Sequence, residues 1–289
     1  MIQDKGNRLI SAIEKQTEKI IYFCSAENIS PNLAVHEIRK SYKRLRALFL
    51  LFSECNETQT DQFRREIKAA GKILSPIRES FVNVQHFDKI TAGSNLISER
   101  KIKQVKDSLL EKNRVLVEDE FTSKNVVSDI VQFVKNIQVQ LITLKLNCPS
   151  VFQIKTQLSS TFVEGYEVYQ SIEPELSPVM MHELRKILKR LWYQLDFVKF
   201  MHPRYFRLKS DQLNKITEQL GVDHDLYVFF EDLKSGDFNF NNEELLILDN
   251  QVQHQRELNM VKLLPRLKQF FNEPPEIFDR KLDKIFKLS

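Results

Sequence analysis

An eleven-residue basic segment occurs twice in the chain, as His36-Glu-Ile-Arg-Lys-Ser-Tyr-Lys-Arg-Leu-Arg46 and as His182-Glu-Leu-Arg-Lys-Ile-Leu-Lys-Arg-Leu-Trp192. The copies lie 182 − 36 = 146 residues apart in a chain of 289, close to half its length. A period of that size asks for two similar units and constrains the fold more than any single motif. Seven of the eleven positions are identical, and five of those seven are His, Arg or Lys. The register continues beyond the segment. Leu74-Ser-Pro-Ile-Arg78-Glu-Ser-Phe-Val82 pairs without a gap with Leu220-Gly-Val-Asp-His224-Asp-Leu-Tyr-Val228.

Both basic segments have helical periodicity. Ile38, Tyr42, Leu45, Phe49 and Phe52 alternate at three- and four-residue steps, as do Leu184, Leu188, Leu191, Leu195 and Val198. Each follows a Ser-Pro start, Ser30-Pro31 and Ser177-Pro178, with Ser as the expected N-cap and Pro at the first helical position. Further helices are predicted over 5–25, 60–74, 76–90, 96–118 and 122–145, then 150–171, 206–220, 222–234, 241–271 and 275–287. The breakers between them are short: Asn56 to Asp61, Ala92-Gly93-Ser94, Asn147-Cys148-Pro149, Glu173-Pro174 and Ser235-Gly236-Asp237. With six Gly, 28% charged residues and no hairpin dipeptide, the expected fold is all-α. The repeat divides it into residues 1–148 and 149–289.

On a helical wheel, Arg39, Lys40, Lys43 and Arg44 share the face of His36, opposite the apolar stripe. His182, Arg185, Lys186, Lys189 and Arg190 do the same in the second copy. Like charges at this spacing repel, and Glu37 and Glu183 offset little of that. A row of cations rising about 1.5 Å per residue suits an external chain of phosphates, since Lys and Arg make charge-assisted hydrogen bonds to phosphate oxygens. Two such rows brought face to face would line a basic channel. Arg46 extends the first row; Trp192 stands in its place in the second. Arg64, Arg65, Lys68, Lys72, Arg78, Arg204, Arg207, Lys209, Lys215 and His224 are candidates to widen the surface, Arg78 and His224 foremost because the repeat makes them equivalent.

Enzyme classes fade on the same residues. His36-Glu37 and His182-Glu183 begin like a zinc helix, but Lys40 and Lys186 stand where the second imidazole would be, so no metal site is expected. His182-Glu-Leu-Arg resembles a phospho-acceptor box of sensor histidine kinases, without the following Pro or a Gly-rich ATP-binding region. Gly71-Lys72 lacks the spacing of a phosphate loop. No catalytic residue or cofactor is expected. Cys24, Cys55 and Cys148 are odd in number and scattered, as reduced cytoplasmic thiols would be. Neither a signal peptide nor a membrane span is read from the sequence, whose longest unbroken apolar run is Ala47 to Phe52. The formal net charge of +4 by itself points to no partner.

The two His-Glu-x-Arg-Lys-x-x-Lys-Arg segments, with Leu220-Gly221, His224-Asp225 and Val228 following, resemble the CHAD family, the conserved-histidine α-helical domain. In the first copy Leu74-Ser75, Arg78-Glu79 and Val82 match with Ser for Gly and Glu for Asp. The resemblance covers nearly the whole chain. It implies two four-helix bundles related by a pseudo-twofold and a basic surface or pore that binds inorganic polyphosphate without catalysis. The expected contacts are His36, Arg39, Lys40, Lys43, Arg44, Arg46, Lys68, Lys72, Arg78, His182, Arg185, Lys186, Lys189, Arg190, Lys215 and His224. Affinity is expected to fall with salt, and to rise as His36 and His182 protonate near pH 6 to 7. Nucleic acid on the same stripes is the alternative, weakened by the lack of aromatics interleaved with the basic face. A histidine phosphorelay is a further one. Association with polyphosphate granules is left open.

Overall fold

The computed structural model describes residues 2–52, 57–92, 96–123, 125–146, 148–172, 176–236 and 238–287. All regular structure among them is helical: α1 Ile2–Ser25, α2 Pro31–Leu50, α3 Glu57–Ile73, α4 Ser75–Thr91, α5 Glu99–Val117, α6 Val126–Leu146, α7 Val151–Ile172, α8 Pro178–Val198, α9 Pro203–Ser235, α10 Asn242–Phe271 and α11 Pro275–Lys287. A π-helical stretch, Glu118–Ser123, joins α5 to α6. Residues 56, 93–94, 147, 173–174 and 237 of the expected breakers, and Cys55, lie outside the described residues.

The two basic helices start as the sequence suggests, with one difference. Ser30 caps α2, its side chain accepting from the Leu33 N–H, and Pro31 opens the helix. Ser177 holds the same extended backbone before α8 but makes no side-chain cap bond. Their apolar stripes are buried: Ile38, Leu45 and Phe49 of α2 and Leu184, Leu188, Leu191, Leu195 and Val198 of α8 are all fully inside. Each such side chain contributes about 1.5–3 kcal/mol of hydrophobic stabilisation.

Two expectations are corrected. The stretch read as separate helices 206–220 and 222–234 is one helix, α9, running unbroken through Gly221. Residues 57–61 belong to α3 rather than to a connection, with Glu57 favourably placed in its first turn.

Helix α2 packs on α1, α3, α4 and α8; α8 packs on α7 and α9; α9 packs on α4 and α10. Helices α2, α8, α9 and α4 therefore form a closed ring of neighbours. Two hydrophobic cores lie around it. The larger joins α1, α2, α3 and α6 to α7, α8, the N-terminal part of α9, the C-terminal part of α10, and α11. The smaller is built from Val84, Phe87 and Ile90 of α4, Val105 and Leu109 of α5, Leu226, Phe229, Phe230 and Leu233 of α9, and Leu248 and Val252 of α10. Each core draws on residues before 148 and after 149.

Candidate functional site

The ring α2–α8–α9–α4 carries the basic segments and brings them together. The charges of Arg185 and Lys189 on α8 act on Lys43 of α2. Those of Lys40 and Arg44 act on Lys189, and that of Arg190 on Arg46. The other two helices close the ends: Arg78 of α4 lies within charge range of His36 and Arg39. The His224 ring of α9 sits 4.0 Å from that of His182, tilted by 33°.

Acids neutralise the margins of this cluster. Glu37 is shared by Lys19, by Lys40 at 3.3 Å and by the His36 Nε2 at 3.7 Å. Glu183 pairs with Lys186, and Glu164 of α7 with Arg190. Glu79 and Asp225 are nearby acids that favour the charged forms of Arg39 and Lys43 respectively. Lys43, Arg44, Arg185 and Lys189 have no ion pair among the described residues. The Nε atoms of Arg44, Arg46, Arg185 and Arg190, and Nδ1 of His182, are buried without a hydrogen-bond partner. Buried donors left open in this way are costly unless something fills them.

The pKa shifts follow the crowding. The surrounding protein, then the charges of Arg185, Arg39 and Lys189, push the Lys43 ammonium down to about 7, although its side chain is exposed to solvent. Burial and Arg185 push Lys189 down to about 8. Burial, then His224 and Arg185, push His182 down to about 4. His36 and His224 are lowered too, burial being the leading cause in each. The expected protonation of His182 near pH 6 to 7 therefore shifts to lower pH in the free protein. In the free protein His182 is neutral there, and burial and neighbouring guanidinium and ammonium groups oppose protonation of His36 and His224.

A family model described as the CHAD domain matches residues 11–233. The chain belongs to the CHAD family. The match takes in α2, α4 and α8 entire and nearly all of α9, so the whole ring of this CHAD chain lies within it. Among solved structures, the chain is similar to PptA from Streptomyces chartreusis, with a TM-score of 0.69 over 92% of this chain and 99% of that one. At 10% identity the likeness is one of fold. No curated protein matches.

Of the residues singled out in the sequence of this CHAD chain, those of α2 and α8, with Arg78 and His224, gather in the ring. Lys68 and Lys72 on α3 and Lys215 on α9 are exposed, and none of the interactions described for the cluster involves them. Lys209 is not a surface cation. It is buried, bonded to Glu273 at 2.7 Å, and lies over the Phe270 ring at 4.8 Å. Sequence reasoning marked Trp192 at the second stripe and missed Tyr193. The Lys189 Nζ lies 4.0 Å from the Trp192 ring and 5.7 Å from that of Tyr193, and the Arg44 guanidinium lies 5.2 Å from Tyr193. Trp192 and Tyr193 follow Lys189 by three and four residues, the spacing that places side chains on one helix face.

Proposed function

We propose that this CHAD chain binds inorganic polyphosphate along the α2–α8 contact and catalyses no reaction on it. One observation carries the reading: Lys43, Arg44, Arg185 and Lys189 converge there with no ion pair among the described residues. Repulsion in that cluster opposes folding and is relieved by an anion, and a row of phosphates relieves it along its length.

An internal duplication belongs to the same proposal, with residues 1–148 and 149–289 as units related by a pseudo-twofold. Its support is the register of the helices. α3 begins at Glu57 and α9 at Pro203, 203 − 57 = 146 apart, the spacing of the two His-Glu segments. A cytoplasmic setting, and polyphosphate granules as the place of action, are part of this reading.

Titration with long-chain sodium polyphosphate, followed by calorimetry, tests it. Binding is expected to weaken linearly in log–log terms with added salt, as displaced counterions require. Salt-insensitive binding, or binding unchanged in a K43Q/R185Q/K189Q variant, contradicts it. Nucleic acid remains the second reading because Trp192, partly exposed beside Lys189, gives the site a π surface on which a base could stack. Competition between polyphosphate and RNA or duplex DNA at equal charge concentration decides between them.

A further inference from the structure

The repeat makes Arg39 and Arg185 equivalent, yet the structure treats them differently. Arg39 donates from Nη1 both to the Gly71 carbonyl oxygen and to Ser75 Oγ, the latter at 2.6 Å. It thereby ties α2 to the end of α3 and the start of α4. Arg185 makes no hydrogen bond or ion pair among the described residues, and its Nε is buried without a partner. Its guanidinium meets Gly221 of α9 edge-on, with Nε and Nη2 nearest. A Cβ there would sit 3.1 Å from Nη2, 3.2 Å from Nε and 3.6 Å from Cζ. The residue paired with Gly221 in the 146-residue register is Ser75, the acceptor that holds Arg39.

Glycine in a helix interior weakens the helix, and Gly221 is buried with no left-handed backbone to require it. The three atoms nearest the missing Cβ all belong to Arg185. Arg185 is also the most central charge of the site, acting on Arg39, Lys43, His182, Lys189 and His224. A phosphate gripped by two parallel N–H groups needs a guanidinium whose fork is open. The Nε–Nη2 edge of Arg185 faces Gly221, which leaves its Nη1–Nη2 end without a partner among the described residues; in Arg39 the Nη1 is committed to protein.

We infer that Arg185 is the principal phosphate ligand of the site, that Gly221 is its positioning residue, and that Arg39 is mainly a structural tie. This rests on the polyphosphate reading above and goes further by making the two equivalent stripes unequal. Replacing Arg185 by Lys keeps the charge and loses the fork. R185K is expected to weaken binding about tenfold, the scale of a charge-assisted hydrogen bond. R39K is expected to weaken it less and to lower Tm. Gly221→Ala pushes the guanidinium aside while favouring the helix, so affinity drops several-fold with Tm unchanged or raised. In an R185K background the same Gly221→Ala change has no further effect on affinity, because it acts through the guanidinium.

The test is titration of wild type, R185K, R39K, Gly221→Ala and the Gly221→Ala/R185K double variant with long-chain sodium polyphosphate. Trp192, the only Trp in the chain, reports binding by its fluorescence beside Lys189. Wild-type affinity for Gly221→Ala, equal losses for R39K and R185K, or additive losses in the double variant overturn this inference and leave the polyphosphate reading standing. A wild-type chain that does not bind polyphosphate overturns both.

Discussion

Lys43 and Lys189 turn the packing of α2 against α8 into a pH dependence. With Lys43 lowered to about 7 and Lys189 to about 8, the free protein carries these ammonium groups only in part at neutral pH. A bound polyanion favours the charged form, so binding takes up protons. Affinity is expected to be highest below pH 7 and to fall between pH 7 and 9, by up to about tenfold per pH unit for each lysine that must gain a proton. The stability of the unliganded protein runs the other way. The folded pKa values lie below the unfolded ones, so the unfolded chain holds more protons and stability rises as pH passes from 7 toward 10. Calorimetric titrations at stepped pH check the first trend and urea melts the second; K43M should remove the inflection near 7. That Lys43 faces outward was legible from its wheel position relative to Ile38 and Leu45. Its lowered pKa was not, because Arg185 and Lys189 act on it from a helix 146 residues on. The neutral state of His182 escaped for the same reason, since His224 reaches it from α9.

At the scale of helices, the apolar stripes and Ser-Pro starts located α2 and α8, whereas α9 was divided at Gly221. Glycine reads as a breaker when only local propensity is known; the packing of Arg185 explains its place inside a continuous helix. The first half differs: α3 ends at Ile73 and α4 starts at Ser75, with Pro76 unable to donate to the preceding turn. A second feature of α9 was hidden from the sequence. Asp223, 2% exposed, accepts from Arg256 Nε of α10 at 2.8 Å and from its Nη2 at 3.4 Å. Asp223 reads as one more helix-surface acid until its partner, 33 residues away, is placed. Asp223→Ala would leave a largely buried guanidinium without its counter-charge, which costs about 3–5 kcal/mol of stability. Asp223→Ala/Arg256→Met should recover much of that loss by removing both charges together. Urea unfolding of the two variants measures it, and a single variant within about 0.5 kcal/mol of wild type would remove this pair from the account.

For the molecule as a whole, the repeat announced two units, but helical periodicity does not say whose apolar face meets whose. The buried residues answer that. Phe87 of α4 and Phe229 of α9 share the smaller core, and the larger one is continuous from α2 to α8. Separating residues 1–148 from 149–289 would expose one side of both. Phe87, Phe229, Leu248 and Val252 are within 1% of full burial, and each is worth about 1.5–3 kcal/mol. Losing even several such contacts consumes the 5–15 kcal/mol by which a folded protein is typically stable. Neither half expressed alone is therefore expected to melt cooperatively, and the full chain is expected to unfold in a single transition. Co-expressed halves should recover a cooperative melt, because the surfaces that meet at α2–α8 and α4–α9 need no covalent link to pack. Circular-dichroism melts of the four samples distinguish the cases. A sharp, independent transition in either half would mean that each repeat carries its own sufficient core and that the basic cluster joins two prefolded domains. A shared core makes the cluster inseparable from the fold, so that polyphosphate bound at 100 times its Kd would stabilise the entire chain by about 2.7 kcal/mol.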